Sequence, residues 1–334
     1  MVGIQRLLIA VGGEDGHRRE YIALFQKLAS ANGVVHETRV LGFRDIVNPA
    51  PIFSPMLEEY TVRFLIVAWM RALWGRRSCA LMFRPGEVVR STSPRHLIKK
   101  LMLKAVRPFP TVTIATILPF ELDPAFSAIA DDWIHDPQLW DLDPESGGGS
   151  TPIASELRHR AANRPIVAAI GAQNQGKGFD FFADLWACDA RVREQRLFVA
   201  AGKVAEASKP AADAFEAAGG LLIDRFISDA ELLDLYHEAS QVWGCYAPDY
   251  DQASGIFGRS VQTGRPVLVR QDSYMERLAG LLGHPVTALP WDAPAEAAAM
   301  LLASSTDAPP AGQVAAMRSR SVQVLGRALG LDLG

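Results

Sequence analysis

Cysteine is scarce in this chain. Its 334 residues include three, Cys79, Cys188 and Cys245, scattered and with neither a CxxC nor a Cys/His spacing. That pattern argues against a disulfide framework or a thiolate zinc site and makes a reducing cytoplasm the expected setting. Long hydrophobic runs are missing as well: the longest apolar stretches, such as 64–70, fall far below the roughly 18 residues a membrane span needs. The opening apolar run, Leu7 to Val11, is too short for a signal-peptide core and is followed by charge rather than a cleavage site. Two nucleotide-binding fingerprints are also absent. Gly12, Gly13 and Gly16 do not have the G-x-G-x-x-G spacing, and the Lys-Ser/Thr pair of a Walker A loop is lacking.

What is present is an ordinary globular composition, 49% hydrophobic and 21% charged, on a chain longer than a single core comfortably supports. Two domains are expected. An apolar run, a Gly12-Gly13 turn and a helical stretch open the chain, and strand candidates follow at 62–69, 79–83 and 111–118. This alternation predicts a parallel sheet covered on both faces. Between Asp136 and Pro165 turn formers interrupt the periodicity, including Asp143-Pro144 and Gly147-Gly148-Gly149. A second, more regular alternation then begins, with strand candidates at 166–170, 197–201, 221–223, 242–246 and 266–269. The expected division is 1–150, 151–311, and a terminal helical segment, 312–334.

The formal net charge of −3 hides an asymmetry: ten basic residues lie between Arg71 and Arg107, with Glu87 the sole acid among them. Within this block Ser93 and Pro94 open a helix, 94–107, with Leu97, Ile98, Leu101, Met102 and Ala105 on one face and His96, Lys99, Lys100, Lys104 and Arg107 on the other. Such a helix either packs its apolar face on the sheet and solvates its basic face, or meets an anionic membrane surface. No nucleic-acid partner is expected.

The segment from Gly171 to Leu185 carries the clearest chemistry. A strand ends in Ile170-Gly171, a polar loop follows, and Lys177-Gly178 opens a helix. Lysine at a helix entry suits an anion, because free N–H groups and the helix dipole add to the ammonium charge. Further on, Ser228 and Glu231 form a capping-box pattern before a helix. Gly255, after Ser254, places a residue without a side chain at another helix start, where a phosphate or sugar oxygen can approach the backbone.

In order and spacing, these elements from Ile166 to Val269 resemble the donor-binding domain of family 4 retaining glycosyltransferases. That resemblance implies a GT-B fold, two Rossmann-like α/β domains facing each other across a cleft, with a C-terminal helix crossing back to the first domain. It implies transfer of a sugar from a nucleotide-sugar donor with retention, assisted by the donor phosphate, and needing neither a protein nucleophile nor a metal or other cofactor. Lys177, Asp251 and Arg259 fall at catalytic positions. Donor-binding positions are Gly171, Gly202, Phe226, Ile227, Ser254, Gly255 and Ile256, joined by Gly12, Gly13 and His17 of the first glycine-rich loop. Arg84 is an acceptor-side candidate. With the basic helix, the resemblance points to a glycan or lipid-linked acceptor in cell-surface polysaccharide synthesis and a cytoplasmic, peripherally membrane-bound protein.

The chain departs from the family pattern in three places. The two glutamates usually found eight positions apart are here Asp251 and Arg259, and a basic residue usual after the first glycine of the lysine loop is Ala172. Arg259 is a candidate substitute that would reach a phosphate. The Asp141-Leu142-Asp143 triplet has the form of a metal-binding DxD but sits in the Pro/Gly linker. Two other readings stay open: an inactive nucleotide-sugar-binding subunit, favoured by Arg259, and an NAD(P)-dependent oxidoreductase, disfavoured by the missing fingerprint.

Overall fold

A computed structural model describes residues 5–12, 18–141, 151–251, 254–305 and 313–333. The chain divides into two compact units, Met1–Asp141 with Ala315–Gly334, and Leu142–Val314.

The first unit runs β1 (Arg6–Val11), α1 (Arg18–Ala31), β2 (Val35–Val40), β3 (Ile52–Ser54), α2 (Thr61–Ala72), β4 (Ser78–Met82), α3 (Pro85–Arg90), α4 (Pro94–Val106), β5 (Val112–Thr116) and β6 (Asp132–Trp133). Its sheet has the order β2-β1-β3-β4-β5-β6, with every pairing parallel. β4 is buried along its whole length and β1 from Leu7 to Val11, as expected of strands covered on both faces.

Two local expectations are corrected here. The apolar run 62–69, taken as a strand, is helix α2. Phe64, Leu65, Val67 and Ala68 face the core at helical spacing, while Val62, Ile66 and Trp69 face outward. With apolar residues on both sides of the helix, no polar face marks its period. Helix α4 begins at Ser93 and Pro94, but Ser93 makes no side-chain cap. Its packing is through Leu103 and Val106; Leu97, Ile98 and Leu101 are exposed rather than laid on the sheet.

Arg71, in the last turn of α2, is fully buried and is held by hydrogen bonds: its guanidinium donates to the carbonyls of Asp45, Asn48, Ala50 and Arg77 and to Ser78 Oγ. Burial lowers its pKa to about 10, so it stays charged at neutral pH and ties α2 to the chain entering β3 and β4.

The second unit contains α5 (Pro152–Ala161), β7 (Ile166–Ile170), α6 (Phe179–Cys188), α7 (Ala190–Gln195), β8 (Leu197–Ala201), α8 (Lys209–Ala217), β9 (Leu221–Ile223), α9 (Asp229–Glu238), β10 (Gln241–Gly244), α10 (Gly255–Gln262), β11 (Val267–Arg270), α11 (Tyr274–Leu282), β12 (Val286–Leu289) and α12 (Pro294–Ala303). Its sheet is also parallel, in the order β12-β11-β10-β7-β8-β9. One core cluster holds Phe179, Phe182, Trp186, Phe198, Phe215 and Trp243, with the Phe182 and Phe198 rings 4.7 Å apart; a second is aliphatic, built around Ile153, Leu157, Val199 and Leu235. Strand succession reverses between β7 and β10, the place where open α/β sheets leave a crevice at their carboxyl ends.

The last helix, α13 (Gln313–Leu329), joins the first unit from Ala315 onward. There the His135 N–H donates to Ser321 Oγ at 3.1 Å, and Arg320 lies over the Trp133 ring while reaching Asp132. Burial, and then the Arg320 charge, push the His135 pKa down to about 4. The imidazole is therefore neutral when folded but protonates near 6.5 when unfolded. The unfolded chain binds the extra proton between these values, so stability from this group is present above about 6.5 and lost as pH falls towards 4. Melting temperatures followed over that interval are expected to fall less steeply in His135→Gln than in the parent.

Candidate functional site

Most of the candidate residues of the second unit gather at the carboxyl ends of β7, β8, β9 and β10. β7 runs into Gly171, whose N–H donates to the Ala201 carbonyl of β8 at 2.9 Å. The loop that follows is held from within by a residue that no sequence pattern singles out. Gln173 is 3% exposed, and its amide donates to the carbonyls of Ala169 (3.0 Å) and Gly171 (2.7 Å). Its backbone adds links to 203 and 205. Glutamine in a polar loop ordinarily faces water, so its turning inward leaves no trace in the one-letter pattern.

Two glycines in this region answer to geometry. Gly202 has φ of +134°, and a Cβ on it would lie 1.9 Å from the Gly171 carbonyl oxygen. Gly178 has φ of +71°, and a Cβ there would lie 2.1 Å from the Cys245 carbonyl oxygen. Both positions need an absent side chain as well as a left-handed backbone.

Lys177 directly precedes Gly178. Its N–H donates to Asn174 Oδ1 at 2.9 Å and its carbonyl accepts from Trp243 Nε1 at 3.2 Å, so its backbone is pinned at both ends. The ammonium has no hydrogen-bond or ion-pair partner among the described residues. It lies 3.2 Å from the position a Gly171 Cβ would take, and Ile256 Cδ1 is 3.7 Å from that same point. Lys177, Gly171 and the first turn of α10 therefore meet at one place. Burial lowers the Lys177 pKa, the effect of a cation withdrawn from water without a counter-charge.

Helix α10 starts with Ser254 as its N-cap: Ser254 Oγ accepts from the Ile256 N–H at 3.2 Å and is 2.8 Å from the Tyr246 hydroxyl. Gly255 is the first helical residue. Tyr246 is fixed there as a neutral phenol, its pKa pushed up to about 12 by burial. Arg259, further along α10, is half-buried and opposes the upward shift that burial imposes on Tyr236. Asp251 is engaged within the unit: its Oδ1 accepts from the Tyr274 N–H at 2.8 Å and pairs with Arg270 at 3.2 Å. Arg270 in turn donates to the Tyr246 carbonyl.

Beyond β9, Phe226 is 83% exposed and Ile227 is buried in the aliphatic core. The turn is fixed by the Arg225–Glu231 ion pair and by the reciprocal capping box of Ser228 and Glu231. Hydrogen bonds from Arg225 and Ser228 lower the Glu231 pKa to about 2.

Gly12 and Arg84 belong to the first unit. The Gly12 N–H donates to Glu59 Oε2 at 3.2 Å at the end of β1. Arg84 follows β4; its N–H and that of Phe83 donate to Glu58 Oε1, and its side chain is exposed and 3.4 Å from Glu87. Burial raises the Glu58 pKa. Gly13 and His17 lie outside the described residues, as do 142 and 143 of the DxD triplet. Among the described residues no group of three or more His, Cys, Asp or Glu side chains is placed to hold a metal ion.

What the second unit brings together is an ammonium withdrawn from water and without a partner among the described residues, glycine backbone, and the first turn of a helix, an arrangement whose charge and dipole suit an anion. No protein-family profile and no curated protein matches the sequence. Solved structures do match the fold. A structure described as trehalose-6-phosphate from E. coli bound with UDP-2-fluoro glucose aligns at TM-score 0.56 and 10% identity, covering 97% of this chain and 96% of that one. Anabaena HepE in complex with UDP aligns at TM-score 0.56 and 13% identity, covering 98% and 95%. A trehalose-6-phosphate synthase studied for enzymatic glycosyl transfer with retention aligns at TM-score 0.53 and 9% identity, covering 98% and 95%. The fold is GT-B, two six-stranded parallel α/β units.

Proposed function

We propose that this chain is a glycosyltransferase that moves a sugar from a nucleotide-sugar donor to an acceptor hydroxyl. The observation that carries the reading is the Lys177 ammonium, without a partner among the described residues and set beside Gly171 and the first turn of α10 at the strand-order reversal of the second unit. A donor diphosphate supplies the counter-charge that Lys177 lacks. As the anomeric carbon–oxygen bond breaks, negative charge grows on the departing phosphate, where the ammonium and the α10 N-terminus stabilise it. The acceptor hydroxyl attacks on the same face and passes its proton to the leaving phosphate oxygen, so configuration is retained. UDP and a UDP-sugar analogue in the structures of similar fold support this reading.

In this reading the phosphate charge is met by protein groups, so turnover is expected to survive EDTA. Arg259 supplies a further positive charge to the donor. The basic 94–107 segment supports a site of action at an anionic membrane surface on its cytoplasmic side, with a membrane-proximal or lipid-linked glycan of cell-surface polysaccharide synthesis as the acceptor.

A binding-only subunit draws support from one observation, the engagement of Asp251 by Arg270 and the Tyr274 N–H. Turnover separates the two. Incubation with UDP-, GDP- and ADP-sugars and lipid-extract acceptors is expected to release the nucleoside diphosphate and to give a product with the donor's anomeric configuration by NMR. Tight donor binding with no release would assign the binding-only role.

A further inference from the structure

The hydrophobic residues of the first unit are unevenly buried. Along α2, Val62, Ile66, Trp69 and Leu73 recur at helical spacing on the outward side, 37% to 60% exposed, and Trp74 just beyond is 58% exposed. Helix α4 packs beside α2 and turns Leu97, Ile98 and Leu101 outward, 48% to 68% exposed. A soluble surface scatters such residues singly; a run along two neighbouring helices marks a surface built to be covered.

The charge on the same elements says by what. Neither α2 nor α4 contains an acidic residue, whereas Arg63, Arg95 and Lys104 are exposed on them; Arg107, just past α4, is instead engaged by Asp131 at 3.0 Å. Tryptophan and leucine flanked by lysine and arginine are the composition of a face that enters a lipid headgroup layer, with aromatic and aliphatic side chains reaching the acyl boundary and cations meeting anionic headgroups. A second copy of this chain is a poorer occupant, because a two-fold contact would set this cationic surface against itself.

We propose that the outward face of α2 and α4 is a membrane-docking surface for anionic bilayers, with Trp69, Leu73 and Trp74 of the α2 end and Leu97, Ile98 and Leu101 of α4 as the inserting groups. It extends the membrane-proximal reading above from one basic segment to a two-helix apolar face. It is independent of sugar transfer, since docking is read without donor or acceptor.

The test is co-flotation of the full chain with vesicles of phosphatidylcholine alone or with added phosphatidylglycerol, at low and high salt. Binding is expected to phosphatidylglycerol vesicles only and to weaken with salt, with tryptophan emission shifting to the blue as Trp69 and Trp74 leave water. Leu97→Ser/Leu101→Ser and Trp69→Ser/Trp74→Ser are expected to lower vesicle affinity at least tenfold while leaving nucleotide binding intact, and Lys104→Gln to lower it about fivefold. These positions are exposed, so circular dichroism and melting temperature are expected to match the parent. Failure to float at low salt, equal binding to both vesicles, or variants that float like the parent would overturn the assignment. So would a concentration-dependent dimer abolished by the same substitutions, which would assign the face to a second copy. Retained nucleotide binding alongside lost flotation tells failure here from failure of the transferase reading.

Discussion

Lys177→Ala is expected to weaken nucleoside diphosphate binding by about 1.5 to 3 kcal/mol, roughly tenfold to a hundredfold, the range for a lost charge-assisted contact. The geometry adds a second expectation of opposite sign. In the unliganded protein the ammonium is desolvated and unpaired among the described residues, a cost to folding. Lys177→Met keeps the stem and removes the charge, and is expected to raise the melting temperature while abolishing the gain from ligand. A residue that merely packed would lose stability on substitution. The pH dependence follows from the same displacement. Because burial lowers the Lys177 pKa, its proton is lost below the ordinary lysine value of about 10.4. Affinity for a diphosphate, already fully ionised above neutrality, is therefore expected to fall as pH rises into the alkaline range, and to fall earlier than an exposed lysine would dictate. Lys177→Ala should flatten that profile. Binding unchanged by the substitution would place the anion elsewhere.

The second large effect is expected from Gly202→Ala. Its φ of +134° lies outside the range L side chains adopt readily, and the new Cβ would stand 1.9 Å from the Gly171 carbonyl oxygen, a backbone atom held by the Gln173 amide. Backbone strain of about 1 to 3 kcal/mol and a comparable overpacking term together predict destabilisation of about 3 kcal/mol. The only relief is to displace Gly171, and with it the floor under Lys177, so nucleotide affinity is expected to drop as well. Chemical denaturation measures the first and calorimetry the second. A stability change within about 0.5 kcal/mol, the usual scatter of neutral surface substitutions, would show that β7 and β8 do not meet as closely as described.

Five of the six strands of the second unit are legible from sequence because they are short, apolar and bounded by turn residues; β12, VTAL, only partly buried over its first three residues, is not. β7, β8 and β9 begin and end where the apolar runs do, and the capping box at Ser228 and Glu231 forms as its spacing predicts. The first unit is less legible, for three physical reasons. β2 reads VHETRV and no residue in it is fully buried, so it lacks the apolar run of an interior strand. β3 is three residues long. Helix α2 has apolar residues on both its buried and its outward side, which erased the 3.6-residue period and made it read as a strand. The same feature that misled the pattern is what marks the docking face. Within the candidate site, Lys177 and Gly171 stand out as a strand end and a helix entry, while Gly202 and Ser254 are picked out by the order and spacing that resemble the family. Gln173 and Tyr246 are not, since their roles depend on side-chain direction.

The central claim is that the carboxyl end of β7 in the second unit holds a nucleotide diphosphate. Isothermal titration of the full chain with UDP, GDP, ADP and NAD(H) tests it most directly. One nucleoside diphosphate binding at one site, and weakened at least tenfold in Lys177→Ala, is the predicted result. Binding of NAD(H) alone, or heat from none of the four, would contradict it.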